Sequence, residues 1–308
     1  MATTSKSKTS TTKPLRPLKG VRILSLALNL PGPAAMMRLQ TMGANCTKLE
    51  PPAPAAMPKG TPGDPMGMYN LPAYTTLHQG IRVMQADLKT AKGQTQLHKV
   101  LARTDVLLTS FRPSALDKLG LGWAILKKRY PALSMVAIVG APGARAEEPG
   151  HDLTYMAEAG LVTGMDTPPS LYADMGGSLM ASEAVLQVQM QRMASGKGVR
   201  LEVALSEAAH YLALPRTWGL TTGKGSVGGS HAGYRIYPCK DGRVAFAALE
   251  PHFAQRLMQA AGQSQSDVRT MFRPESHAAI AAFVQDKSRA QLDALSVQKD
   301  IPLFTLKG

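Results

Sequence analysis

Short apolar runs alternating with helix-forming stretches predict an α/β fold with a parallel, doubly wound sheet, followed by a smaller domain. Three observations carry this expectation. A strand, tight turn, helix and second strand open the sequence; the alternation then repeats to Val139; and a glycine-rich stretch later precedes a hairpin and a helical remainder. The length, 308 residues, suits two ordinary domains.

The first strand is the apolar run Val21–Leu28, which meets the turn Asn29-Leu30-Pro31-Gly32-Pro33. Ala34–Gln40 is composed of good helix formers, with Pro33 suited to its first turn and Gly43 to its C-terminal cap. Ala44–Glu50 is the next strand, ended by Pro51-Pro52, and the three elements make a βαβ unit. Residues 51–74, rich in Pro, Gly and Met, lack periodicity and are expected to form a long surface loop. Helices are expected over Gln94–Arg103 and Leu116–Arg129, and strands over Val106–Thr109 and Leu133–Val139. A longer helix over Gly177–Ala194, stopped by Gly196, has Leu179, Leu186, Met190 and Met193 on one face, expected to pack in the core. Flexible composition near Gly223–Gly229 marks a domain boundary. Lys240-Asp241-Gly242 then joins strands Tyr234–Tyr237 and Val244–Ala248, and Phe253 to about Leu295 is helical. The expected organisation is a disordered basic tail over residues 1–17, a large domain over 18–222 and a smaller domain over 223–308.

Charge is the strongest compositional departure: 35 Lys+Arg against 21 Asp+Glu give a formal net charge of +14, which calls for an anionic partner. The opening stretch carries Lys6, Lys8, Lys13, Arg16 and Lys19 without an acid. It reads as a solvated tail, with a nucleic-acid arm or a transit peptide as alternatives. Aromatic residues make up only 5% and no recognition-helix pattern occurs, so no specific nucleic acid is expected. No apolar run is long enough for a membrane span. The two cysteines, Cys46 and Cys239, have no metal-ligand spacing around them, so neither a metal site nor a disulfide framework is expected; the cytoplasm is the expected compartment. Gly32-Pro33-Ala34 does not match the dinucleotide fingerprint and the Walker pattern is absent, so neither nicotinamide chemistry nor nucleotide hydrolysis is expected. What the residues leave is a helix N-terminus after the first strand that suits an anion.

Many short motifs then fall in one order. Leu18-Lys19-Gly20-Val21-Arg22-Ile23-Leu24, Pro31-Gly32-Pro33-Ala34-Ala35, Lys48-Leu49-Glu50-Pro51-Pro52, Gly63-Asp64-Pro65, Ala86-Asp87-Leu88-Lys89, Ser110-Phe111-Arg112-Pro113, Gly150-His151-Asp152, Ala173-Asp174-Met175-Gly176-Gly177 and Glu250-Pro251-His252-Phe253 together resemble the family III CoA-transferases. That group includes L-carnitine CoA-transferase, formyl-CoA transferase and α-methylacyl-CoA racemase. The resemblance implies a Rossmann-like large domain, a smaller α+β domain and an interlocked homodimer. It implies an acyl-CoA substrate and no permanently bound cofactor, which agrees with the basic charge.

By the same resemblance, CoA contacts fall on Ser110, Phe111 and Arg112, with Phe111 near adenine and Arg112 near phosphate. Asp174 matches the aspartate that attacks the acyl-CoA carbonyl in the transferases, forming a mixed anhydride and then an enzyme-bound CoA thioester. From local sequence alone, helix N-cap is the favoured reading of Asp174. A mobile glycine loop that covers the intermediate corresponds to Gly225, Gly228 and Gly229, whose N–H groups would approach an oxyanion. In the racemase branch the acid/base pair corresponds to His151 and Asp174, supported by Glu250. CoA transfer through Asp174 is the first expectation, racemisation the second, and an inactive CoA-binding member the third. The last rests on departures from the family pattern: Met66 where a basic residue is usual, His78-Gln79-Gly80 in place of an Asn-Arg element, and the absence after Pro302 of the usual return segment.

Overall fold

Strands that are apolar on consecutive residues need cover on both faces, and this requirement organises the computed structural model. It describes residues 15–263, 267 and 269–308; of the expected basic tail, residues 1–14 lie outside the described residues. Two compact units divide between Leu212 and Ala213, ten residues before the Gly223 boundary expected from composition.

The first unit runs β1 (Arg22–Ser25), α1 (Pro31–Thr41), β2 (Asn45–Glu50), α2 (Pro65–Tyr69), α3 (Leu71–Leu77), β3 (Arg82–Gln85), α4 (Ala91–Leu101), β4 (Val106–Thr109), α5 (Pro113–Lys118), α6 (Trp123–Arg129), β5 (Ser134–Val139), α7 (Asp152–Glu158), α8 (Tyr172–Ser195), β6 (Arg200–Ala204) and α9 (Leu205–Thr217), which crosses the division. Its six strands are all parallel, in the order β3-β2-β1-β4-β5-β6. Alternation assigns the faces: Ile23, Val106 and Leu108 pack with α1 and α8 on one side, Leu24 and Leu107 with α4, α5 and α6 on the other. β4 and β5 are buried at every residue, as central strands of such a sheet should be.

Several elements differ from expectation for local reasons. The supposed loop 51–74 holds α2 and most of α3, because the carboxylate of Asp64 accepts the Met66 N–H and the side chain of Asn70 accepts the Ala73 N–H. The helix expected over Leu116–Arg129 is two, parted where Gly120 takes a φ of +69°. Strands β3 and β6 were not expected. The methionine face of α8 is a clear correction: Leu179, Met190 and Met193 are exposed. α8 instead buries its small residues, among them Ala173, Gly177, Ala181 and Val185, on the side shared with α1, and the large side chains are left pointing outward.

Beneath the β1–α1 turn lies a cluster of polar groups removed from water. Lys48 and Glu50 are 1% exposed and Asp64 0%. Lys48 Nζ pairs with Asp64, stands 3.6 Å from Glu50 and donates to His78 Nε2 at 2.9 Å. That assigns the neutral tautomer whose Nδ1–H donates to the Tyr74 carbonyl at 2.6 Å. Burial, then the Lys48 charge, holds His78 below its ordinary value. Glu50 accepts from the Gly63 N–H at 2.8 Å and the Tyr74 hydroxyl at 3.1 Å. Two of the three sequence departures find a place here: His78 completes the charge cluster, and Met66 packs with Ala34, Tyr74 and Leu77.

The second unit contains β7 (Ile236–Cys239), β8 (Gly242–Phe246), α10 (Pro251–Ala260), α11 (Pro274–Gln285), α12 (Arg289–Lys299) and β9 (Leu303–Lys307). Its antiparallel sheet, β7-β8-β9, contains the expected hairpin plus an unexpected third strand. Tyr237, Val244 and Phe246 pack on Leu257, Ile280 and Leu292 from the three helices, an α+β arrangement. Among the described residues no helix is long and apolar enough to cross a membrane.

Removing Lys48 would leave two carboxylates buried without a cation. Lys48→Ala is therefore expected to destabilise the first unit by about 3–5 kcal/mol, measured as a lower urea midpoint; an unchanged midpoint would show that water or relaxation compensates.

Candidate active site

In the parallel sheet the chain winds outward from β1 through β2 to β3, and in the opposite direction from β4 through β5 to β6. Connections therefore leave β1 and β4 in opposite senses, and a crevice opens at their carboxyl ends. There a cavity of about 180 Å³ is lined by Leu28 and Asn29 after β1, by Ser110, Phe111 and Arg112 after β4, and by Val139 and Gly140 at the end of β5. Its remaining wall includes His151, Tyr155 and Asp174. Such a volume suits the reacting end of a ligand, since whole small-molecule sites take about 300–1,000 Å³.

Asp174 is the third residue of α8, whose N-cap is Leu171, so the N-cap reading of Asp174 does not hold. Its own N–H donates to Asp152 Oδ1 at 3.0 Å, which brings a second carboxylate, itself 5% exposed, against the first turn of the helix. Among the described residues no hydrogen bond reaches the Asp174 carboxylate. Burial first, and then the Asp152 charge, pushes its carboxyl up to about 7. His151 is the N-cap of α7 and exposed; its N–H donates to the Thr154 hydroxyl at 3.1 Å.

The residues expected to contact CoA stand together, but they are unlike one another. Ser110 Oγ accepts the Leu28 N–H at 3.3 Å and so ties the ends of β1 and β4. Phe111 is half-buried against the α4 side of the core while also lining the cavity. Arg112 is exposed and precedes Pro113 at the start of α5. Beside it, Glu147 accepts both the Ser114 N–H at 2.7 Å and the Ser114 hydroxyl at 2.8 Å, contacts that hold its carboxyl below the usual range.

Glu250 and the glycine segment belong to the second unit. Glu250 is exposed at the N-cap of α10. The glycine segment is a folded turn: the Gly225 N–H donates to Thr222 at 2.8 Å and the Gly228 N–H to Gly225 at 2.9 Å. These two N–H groups are therefore already engaged, contrary to the expectation that they face an oxyanion. Gly228 and Gly229 line a broad groove of about 1010 Å³ with Tyr234, Arg235 and Phe246.

Tyr155 and Asn29 are among the members of the cavity wall that sequence reasoning missed. Tyr155 is 7% exposed, and its hydroxyl lies so close to Gly140 and Gly150 that a Cβ there would stand 2.2 and 2.5 Å away. Burial and the Asp174 charge raise the Tyr155 phenol. The available signal was its place four residues after His151, one turn along the same helix. Asn29 has a left-handed φ of +62°, and its N–H donates to both Asp64 oxygens at 3.1 and 3.2 Å. Only the turn composition hinted at it. Among the described residues no group of three or more His, Cys, Asp or Glu is placed to hold a metal.

The chain belongs to CoA-transferase family III, whose model matches residues 18–307. It is 33% identical over 212 residues to a probable fatty acyl-CoA transferase of Mycobacterium tuberculosis, covering 65% of this chain and 53% of that one, so it spans about half of that relative's length. To the α-methylacyl-CoA racemase of Homo sapiens it is 27% identical, covering 89% of this chain and 73% of that one. To the succinyl-CoA–D-citramalate CoA-transferase of Chloroflexus aurantiacus it is 28% identical, covering 97% and 81%. A crystal structure of the mycobacterial protein superposes with a TM-score of 0.78 at 25% identity, covering 96% of this chain and 85% of that one. A CaiB/BaiF family protein of Brucella suis shares the fold, with a TM-score of 0.74 at 23% identity over 96% and 85%.

Asp174 also makes stability depend on pH. Its carboxyl titrates ordinarily at 3.8 and here at about 7, so its favourable contribution is complete below 3.8 and is lost as the pH rises through about 7. Asp174→Asn, which cannot ionise, should melt above the wild-type protein when both are measured at pH values above about 7, with the difference closing as pH falls toward 3.8. Parallel melting curves at every pH would contradict the buried-carboxyl assignment.

Proposed function

We propose that the protein processes acyl-CoA thioesters, with Asp174 as the reacting group, and that the reaction is transfer of CoA between carboxylic acids. The carrying observation is the Asp174 carboxyl, without a hydrogen-bond partner among the described residues, on the wall of a small cavity at the switch point of the sheet. In this reading the ionised carboxylate attacks the thioester carbonyl and CoA leaves as its thiolate. The thiolate then attacks the aspartyl carbonyl of the mixed anhydride, releasing the donor acid and leaving CoA on Asp174 as a thioester. The acceptor carboxylate reverses both steps. The cavity takes the thioester end, while Ser110, Phe111 and Arg112 border the path of the nucleotide, with Arg112 supplying a cation for its phosphates. The homodimer is the protein's proposed assembly and the cytoplasm its proposed compartment.

A second reading, racemisation at the α-carbon, is favoured by one observation: His151 and Asp174 line the same cavity, and a carboxyl at about 7 offers both protonation states near neutrality. One group would remove the α-proton and the other return one from the opposite side.

Two measurements separate the readings. Incubation with acyl-CoA in deuterated water should leave the α-carbon unlabelled under transfer and label it without an acceptor acid under racemisation. Transfer should rise with pH about a midpoint near 7, where Asp174 ionises, whereas proton exchange should show a bell. Asp174→Ala is expected to lower either activity by at least about 10²–10⁴-fold. If neither activity appears and saturating CoA does not raise the melting temperature, the enzymatic proposal fails.

A further inference from the structure

The end of the parallel sheet remote from Asp174 carries a concentration of cations. Register pairs Arg22 with Asn45 and Thr47 with Arg82. Cross-strand partners share a face, as do residues two apart on one strand, so Arg22, Asn45, Thr47 and Arg82 stand on the α4 side, continuing the rows of Leu24, Leu49 and Met84. The apolar core thus stops one step short of the amino ends of β1, β2 and β3, and cationic or neutral polar residues replace it. From above, the last turn of α4 supplies Lys99, and the turn that follows supplies Arg103.

These residues line a groove of about 680 Å³ with no acidic residue in its wall. Arg22 is fixed by two bonds to Asp105, at 3.0 and 2.8 Å, and Asp105 also takes Arg192 at 2.9 Å. Arg82, Lys99 and Arg103 form no ion pair among the described residues. Asn45, Thr47 and Thr104 add hydroxyl and amide groups, and no aromatic side chain offers a base a stacking surface. Three uncompensated cations around a concave wall exceed what a carboxylate or a single phosphate neutralises, whereas linked phosphates match several cations at once.

We propose that this groove binds a chain of linked phosphates, of the di- or triphosphate kind, free or as the tail of a nucleotide. The site is separate from the cavity at the carboxyl ends of the strands and does not depend on the acyl-CoA reading.

Calorimetric titration of the full chain with inorganic tripolyphosphate, ATP and orthophosphate tests it, at an ionic strength of about 0.15 M so that loose surface attraction is screened. Tripolyphosphate should bind, orthophosphate more weakly. Equal affinities for ATP and tripolyphosphate would make the phosphate chain itself the ligand; tighter ATP binding would make the nucleotide its source. Arg82→Glu with Arg103→Glu should weaken binding about tenfold or more, one charge-assisted contact being worth roughly that factor. Lys127→Glu with Lys128→Glu, an equal charge change on exposed positions of α6, should leave it intact, and Arg112→Ala should leave it intact as well. No binding of tripolyphosphate, equal weakening by both charge reversals, or loss of binding in Arg112→Ala would overturn the proposal.

Discussion

A lysine ammonium buried with two carboxylates holds together the part of the first unit on which the cavity depends. Lys48 stands on β2, Glu50 two residues on, and Asp64 at the N-cap of α2, so the cluster joins a strand to the start of a helix. Asp64 in turn holds the Asn29 N–H, and Asn29 forms part of the cavity wall. Isolated ions are costly to bury, and these are compensated because nearly every oxygen meets a donor: Gly63, Met66, Asn29 and Tyr74 complete the shells. The network is satisfied only when the turn after β1 and the 63–66 segment are both in place. Positioning of the cavity mouth and burial of charge are one event.

The behaviour of Asp174 follows from a contest among three effects. Its place in the first turn of α8 favours the ionised form, but a helix terminus contributes only about 0.3–1 kcal/mol, and one pKa unit corresponds to about 1.4 kcal/mol. Burial and the neighbouring Asp152 act in the opposite sense and prevail, carrying the carboxyl from 3.8 to about 7. Because Asp152 is occupied with the Asp174 N–H, it orients the helix start while opposing ionisation of the group it positions. A carboxyl in this state is chemically available as nucleophile or as acid, so the proposed transfer and the alternative racemisation would draw on the same group.

Cations stand at both ends of the parallel sheet. Near the carboxyl ends Arg112 faces the cavity, while Arg145 is spent on Glu148 and Glu158 at 2.9 and 2.8 Å. At the amino ends Arg82, Lys99 and Arg103 face a groove without an acid. Net charge predicts attraction to anions in general; which anion a surface suits depends on the groups that line it.

The order of β1, α1, β2, α4, β4 and β5 was legible in the sequence because buried parallel strands are continuous apolar runs and their crossover helices carry turn and cap signals. The motifs around Ser110, His151 and Asp174 were legible too, each as a local pattern. Short edge strands β3 and β6, half exposed, lacked such runs, and α2 begins on a side-chain cap inside a stretch whose composition reads as loop. Amphipathic spacing placed Met190 and Met193 together on a face of α8 but did not say which face is buried; the small residues opposite decided that by allowing α1 to approach. The sequence by itself determined most of the buried strands and crossover helices, the family and several of the chemical types in the cavity. Only the tertiary structure decided the state of Asp174, the placement of Tyr155 and the partners of Lys48, because burial and contact between residues tens of positions apart set the energy of a charge, and neither is written in local order.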